Sequence, residues 1–239
     1  KRSAVAALAV GALALSWTAP AWSYEVVEVS NGGKVTGTIR FQGTPPPPAK
    51  IRITKNPERC GTEPRLSEEF VVSKKGGLAN VVVTLVGVKK GKAFPKKSPR
   101  IIQRKCWFTP RVSLIPVGKR FRLVNEDKIL HNFRTMSKKN PSLNIAHPKF
   151  KKTIRVKKKF SKPETMRIAC DIHKWMTGWV VAIEHPYYAV SSKTGKFTLR
   201  NVPPGTYKLR AWHEKLGVQT QTVTVGAGGS VKADFTFKK

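Results

Sequence analysis

Outside its first residues the chain shows no long amphipathic helical period. No second apolar run approaches the roughly 20 residues that a membrane-spanning helix needs. G-x-S-x-G, H-E-x-x-H, the P-loop and paired His-rich motifs are all missing, which leaves little room for hydrolytic, nucleotide-dependent or multicopper chemistry. Cysteine is sparse and odd in number: Cys60, Cys106 and Cys170. Acidic residues are scarce as well, with 13 Asp and Glu against 46 Lys and Arg, for a formal net charge of +33.

That excess is concentrated. Lys89, Lys90, Lys92, Lys96, Lys97, Arg100, Arg104 and Lys105 form one block, and Lys149, Lys151, Lys152, Arg155, Lys157, Lys158 and Lys159 form another. Such a field attracts anionic partners and speeds their encounter, without bearing on the fold. An acidic protein is the expected partner, with an anionic membrane surface second. No nucleic acid is expected, because the lysines lack a recognition motif.

The start of the chain points to export. Lys1-Arg2 precedes a stretch from Ser3 to Trp17 made almost wholly of Ala, Val, Leu and Gly, and Ala19–Ser23 offers small residues for cleavage. Residues 1–23 therefore read as a cleaved signal peptide, which implies a periplasmic or secreted protein; a retained membrane anchor is the alternative. A chain without an initiator Met is expected to be trimmed.

The remainder reads as strand. Lys34–Phe41, Asn80–Gly87, Arg111–Pro116, Arg120–Asn125, Thr153–Val156, Met166–Ala169 and Gly178–Ile183 are short runs rich in Val, Ile and Thr, bounded by Gly, Pro and Asn. This pattern predicts an all-β sandwich or barrel. A composition break falls at Glu184–Tyr188, and two more strands are expected around Gln219–Val225 and Val231–Phe237.

The chemistry concentrates in Cys170-Asp171-Ile172-His173-Lys174-Trp175-Met176 and, upstream, Asn125-Glu126-Asp127-Lys128-Ile129-Leu130-His131-Asn132. One thiolate, two imidazoles and a thioether form the donor set of a mononuclear electron-transfer copper site, and suit zinc less well. The C-x2-H-x2-M spacing puts three donors on one short loop, and His131 supplies the fourth. Metal ligation requires Cys170 to be a free thiolate, which leaves Cys60 and Cys106 as a disulfide; pairing through Cys170 would destroy the site. His147, flanked by lysines, is expected in a solvated loop, with replacement of His131 as ligand as its alternative role. His185 and His213 are expected to be structural, Met136 to lie in a loop and Met166 in the core.

Two resemblances follow. Phe108-Thr109-Pro110, Val117-Gly118, Asn125, Asp127, His131-Asn132 and the C-x2-H-x2-M loop together resemble the blue-copper cupredoxins, with a loop of the amicyanin and pseudoazurin type. The run Gly195-Lys196-Phe197-Thr198-Leu199 through Asn201-Val202-Pro203-Pro204-Gly205-Thr206-Tyr207-Lys208-Leu209 resembles the carboxypeptidase regulatory-like, transthyretin-like families. The whole is similar to exported proteins of the methylamine-utilisation type with such a tail. The resemblances imply a cupredoxin-like Greek-key β-sandwich at residues 101–186 and a small transthyretin-like β-sandwich at 187–239. Residues 24–100 would belong either to the cupredoxin or to a divided second sandwich, since strands like Lys34–Phe41 usually open the tail module.

Carried over by position, His131, Cys170, His173 and Met176 hold one type 1 copper, Met176 weakly. Asn132 ties the His131 strand to the ligand loop, His173 is the edge where electrons leave, and Trp175 excludes water beside it. Lys174 stands where relatives often carry Pro, and Arg111 where they often carry His, so an accessory metal role for that His is absent. A non-enzymatic one-electron carrier docking on an acidic redox protein is the leading expectation. A copper chaperone or store, or a non-redox module for anionic surfaces, are the alternatives.

Overall fold

The computed structural model describes residues 24–238, so the expected signal peptide at residues 1–23 lies outside the described residues. Strands dominate, and no helix among the described residues is long and apolar enough to cross a membrane.

Two β-sandwiches are stacked on each other. In the first, a four-stranded sheet orders Thr153–Val156, Phe121–Asn125, Arg100–Arg104 and Trp107–Thr109. It faces a five-stranded sheet of Asn144–His147, His131–Met136, Glu164–Ala169, Thr177–Ile183 and Val112–Pro116. Strands distant in sequence lie side by side, as in Greek-key crossovers: Phe121–Asn125 runs parallel to Arg100–Arg104, and Thr177–Ile183 parallel to Val112–Pro116. The alternation that a half-buried strand requires turns Phe121 and Leu123 inward, where they meet Phe108, Phe133, Phe160, Met166 and Val180. Phe108, Phe121 and Phe133 meet edge to face, and Phe121 stacks on Phe160. Such contacts add about 0.5–1.5 kcal/mol each beyond the area they bury.

The second sandwich draws on both ends of the chain. Gly33–Gln42 pairs with Lys196–Val202 on one side and with Ser230–Lys232 and Phe235–Lys238 on the other. Val82–Val86 lies between Tyr188–Val190 and Gly205–His213, and Gly217–Val225 completes that sheet. Val35, Ile39, Val83, Leu85, Phe197, Leu209 and Val223 fill its core. The first sandwich, from Arg100 to Ile183, is thus an insertion between the strands of the second.

The two cores meet through a third apolar layer. Val112, Val181 and Ile183 from the outer face of the first sandwich pack on Val82, Tyr188 and Trp212 of the second. At its edge Arg111, 5% exposed, reaches Glu214 with Nε–Oε1 2.5 Å and Nη2–Oε2 2.8 Å, and Trp179 Nε1 donates to the same carboxylate at 2.9 Å. Arg111 is thus a bridge between the sandwiches.

Candidate metal centre

The strand Glu164–Ala169 delivers Cys170 to the end of the first sandwich, where the chain turns. The turn is closed by its own backbone: Cys170 N–H donates to the Met176 carbonyl at 3.0 Å, and Met176 N–H to the His173 carbonyl at 2.8 Å. Three of the expected donors therefore sit in one compact loop, and all three are buried: Cys170 is 1% exposed, His173 0% and Met176 0%. His131 opens the strand that pairs with Glu164–Ala169 and is 0% exposed.

One ligand atom each from His131, Cys170 and His173 lie within 4.8 Å of one another. Cys170 Sγ stands 3.9 Å from His131 Nδ1 and 3.8 Å from His173 Nδ1. Near-equal separations around the sulfur suit a trigonal His2Cys set, and Met176, in the same buried cluster as Cys170, carries a thioether of the kind that would serve as a soft, weak fourth donor. The sulfur also faces the backbone N–H groups of Asn132 and His173, each at 3.5 Å. Burial pushes the Cys170 thiol up, but the two imidazoles and these N–H groups together outweigh it and bring it down to about 6. A thiolate is the form that a soft metal requires. The donor set fits copper.

Both imidazoles are held from behind. Asp127 Oδ2 lies 2.9 Å from His131 Nε2, and the same carboxylate accepts from the backbone N–H groups of Lys105 and, at 2.9 Å, Cys106. Burial lowers His131 affinity for protons, yet hydrogen bonding to Asp127 and Cys170 raises it above the ordinary histidine value. Burial likewise opposes ionisation of Asp127, and His131 with the two backbone N–H groups overcomes it. His173 Nε2 lies 3.0 Å from Asn56 Oδ1. Asn132 links strand to loop as a side chain would that accepts from Asp171 N–H at 2.6 Å and donates to its carboxylate at 2.8 Å.

Three placements differ from expectation. His173 presents no open edge, because Asn56 and the disulfide Cys60–Cys106 cover it. Both cystine sulfurs lie within 4.8 Å of a His173 ring nitrogen, and the Cys106 sulfur lies within that same 4.8 Å of a His131 ring nitrogen and an Asp127 oxygen. His147 is not solvated: it ends the strand Asn144–His147 directly opposite His131 and is 0% exposed, with neither ring nitrogen hydrogen-bonded. Strand alternation turns it inward although its neighbours in sequence are polar, and its nitrogens are not among the converging donors. Met136 ends a strand rather than lying in a loop. Trp175 is half-buried and packs edge-on against His173, ring centroids 5.3 Å apart. Asp127 was visible only as part of an N-x-D strand end, and nothing in the sequence around Asn56 pointed to His173, 117 positions away.

A family model for the carboxypeptidase regulatory-like domain matches residues 176–238. That span begins inside the ligand loop and omits Gly33–Gln42 and Val82–Val86, which complete the second sandwich. No curated protein matches the chain in sequence. Among solved structures, a copper-containing nitrite reductase from Thermus scotoductus SA-01 is 26% identical over 39% of this chain, with a TM-score of 0.32. The chain spans only 24% of that reductase's own length. A purple cupredoxin from Nitrosopumilus maritimus is 18% identical over 36% of this chain and 100% of its own, with a TM-score of 0.30. A reduced tryptophan-to-tyrosine mutant of amicyanin is 17% identical over 38% of this chain and 86% of its own, with a TM-score of 0.32. At such low scores the sandwich assignment stands on the strand pairing itself. This chain is similar in part to cupredoxins and, over residues 176–238, to the carboxypeptidase regulatory-like domain.

Proposed function

We propose that this chain is an exported one-electron carrier that holds a single type 1 copper on His131 Nδ1, Cys170 Sγ and His173 Nδ1, with Met176 as weak fourth ligand. The observation that carries the reading is the convergence of these three buried donors around one sulfur. Copper bound there supplies a Cu(II)/Cu(I) couple. The protein's part is to keep Cys170 a thiolate, to face both Nδ1 atoms inward and to keep water out. Asp127 and Asn56 serve the second task by taking the outer Nε2–H groups. Insulation comes from Phe108, Phe133 and Met166 beneath the loop and Trp175 beside it. None of this calls for a nucleophile or general base, so we read the chain as non-enzymatic. The basic surface suits an acidic redox partner, which the field would draw in at low ionic strength.

A copper store is the second reading, favoured by one observation: no ligand edge reaches solvent. Voltammetry of the copper-loaded chain separates the two. A carrier gives a reversible one-electron wave and repeated cycling without loss of metal. A chain that takes up Cu(I), gives no reversible wave and yields its metal to a chelator is a store.

A further inference from the structure

One of the two imidazoles is held by a residue from outside the sandwich that carries it, 117 positions away in sequence. His173 lies on the turn 170–176, is fully buried, and its Nε2 meets Asn56 Oδ1 at 3.0 Å. Asn56 has φ 53° and ψ 51°, a left-handed conformation that Asn adopts more readily than most residues with a side chain. Its carbonyl accepts from Arg59 N–H at 3.0 Å and Cys60 N–H at 2.9 Å, which closes the single turn Pro57–Cys60. That turn is tied down on its far side. Cys60 is bonded to Cys106, Arg65 Nη1 donates to the Lys105 carbonyl at 2.9 Å, and the Arg65 guanidinium lies 4.8 Å above the Trp107 ring.

The direction of the Asn56 amide follows from its neighbours. Its Nδ2 faces the Glu58 carboxylate at 3.4 Å, so its oxygen is the atom left for His173. An amide oxygen only accepts, so Nε2 must carry the proton and Nδ1 the lone pair aimed at Cys170.

We propose that Asn56 is a positioning residue for this centre: its side-chain oxygen fixes His173 in the Nε2–H tautomer, and the disulfide-tied turn 57–60 closes the imidazole off from water. The metal role rests on the copper reading above, whereas the hydrogen bond does not, and the test separates them.

The experiment uses the full metal-free chain with ¹⁵N-labelled histidine. In the native protein His173 gives the Nε2–H tautomer, with a proton that exchanges slowly with water. Asn56→Gly keeps the left-handed backbone at ease and removes the acceptor together with the weak Nδ2 contact to Glu58. It should speed that exchange about tenfold or more, consistent with loss of one buried hydrogen bond. Asn56→Asp restores an acceptor and should restore protection, a rescue that a merely structural role would not produce. Unchanged exchange and tautomer in Asn56→Gly, with the unfolding midpoint also unchanged, overturns the proposal. On copper loading, Asn56→Gly should shift the reduction potential away from that of the native chain, and Asn56→Asp should shift it in a different direction because its acceptor is charged. Failure of every variant and the native chain to bind copper overturns the carrier reading, while Asn56-dependent proton exchange still establishes the clamp.

Discussion

His131 and His173 meet Cys170 through the same ring atom because each has its outer nitrogen engaged, one by Asp127 and one by Asn56. These three converging side chains could be picked out in the sequence from ligand chemistry and loop spacing. Their supports could not, since a hydrogen-bond acceptor carries no periodic signal and Asn56 reaches the site only through the fold. His147 shows the same limit: lysines around it suggested solvent, whereas pairing opposite His131 buried it. Another buried histidine gives a prediction at this scale. His213 is 1% exposed among Phe70 and Phe237, and burial together with Arg111 and Lys215 holds its proton affinity down, to about 4. The folded protein resists the proton that the unfolded chain accepts below about pH 6.5. Stability is therefore fully present above that value and is lost as pH falls toward about 4, by up to about 3 kcal/mol from this group. Denaturant unfolding of native and His213→Gln chains should show the two curves converging or crossing as pH falls through that window. Parallel curves from pH 7 to 4 would contradict the assignment.

Strands with clean alternation were read from the sequence within a residue or two, as Thr153–Val156 and Phe121–Asn125 show. Arg100–Arg104 and Asn144–His147 were not, and His131–Met136 only through the resemblance, because charged and amide residues interrupt their apolar pattern. They become strands by pairing with neighbours already in place, and two of them build the metal end. The segment from Lys50 to Leu66 had no strong signal either, yet it caps that end through Cys60–Cys106 and Asn56. Closing a loop of 46 residues removes unfolded-chain entropy worth about 4 kcal/mol. A Cys60→Ser/Cys106→Ser variant should lose stability of that order in denaturant unfolding, and should expose His173 to faster proton exchange. If its stability matched the native chain, the segment would be a passive covering.

The molecule as a whole is one sandwich inserted into another, a division that a composition break at Glu184–Tyr188 could suggest but not place, because the missing strands, Gly33–Gln42 and Val82–Val86, lie far upstream of it. The Arg111–Glu214 pair, 4% and 5% exposed at the side chains, joins the two bodies. Glu214→Ala would leave a buried guanidinium with only Glu69, 3.6 Å away, and should cost about 3–5 kcal/mol. Calorimetry should then show a lowered or split transition, while a single unchanged one would mean the apolar layer alone couples the sandwiches. The central claim concerns the whole chain loaded with metal. Titrating the purified protein with Cu(II) should produce an intense visible thiolate-to-copper band that is abolished by Cys170→Ser and altered by Met176→Ala. A chain that stays colourless at equimolar copper, or whose colour survives Cys170→Ser, contradicts the account.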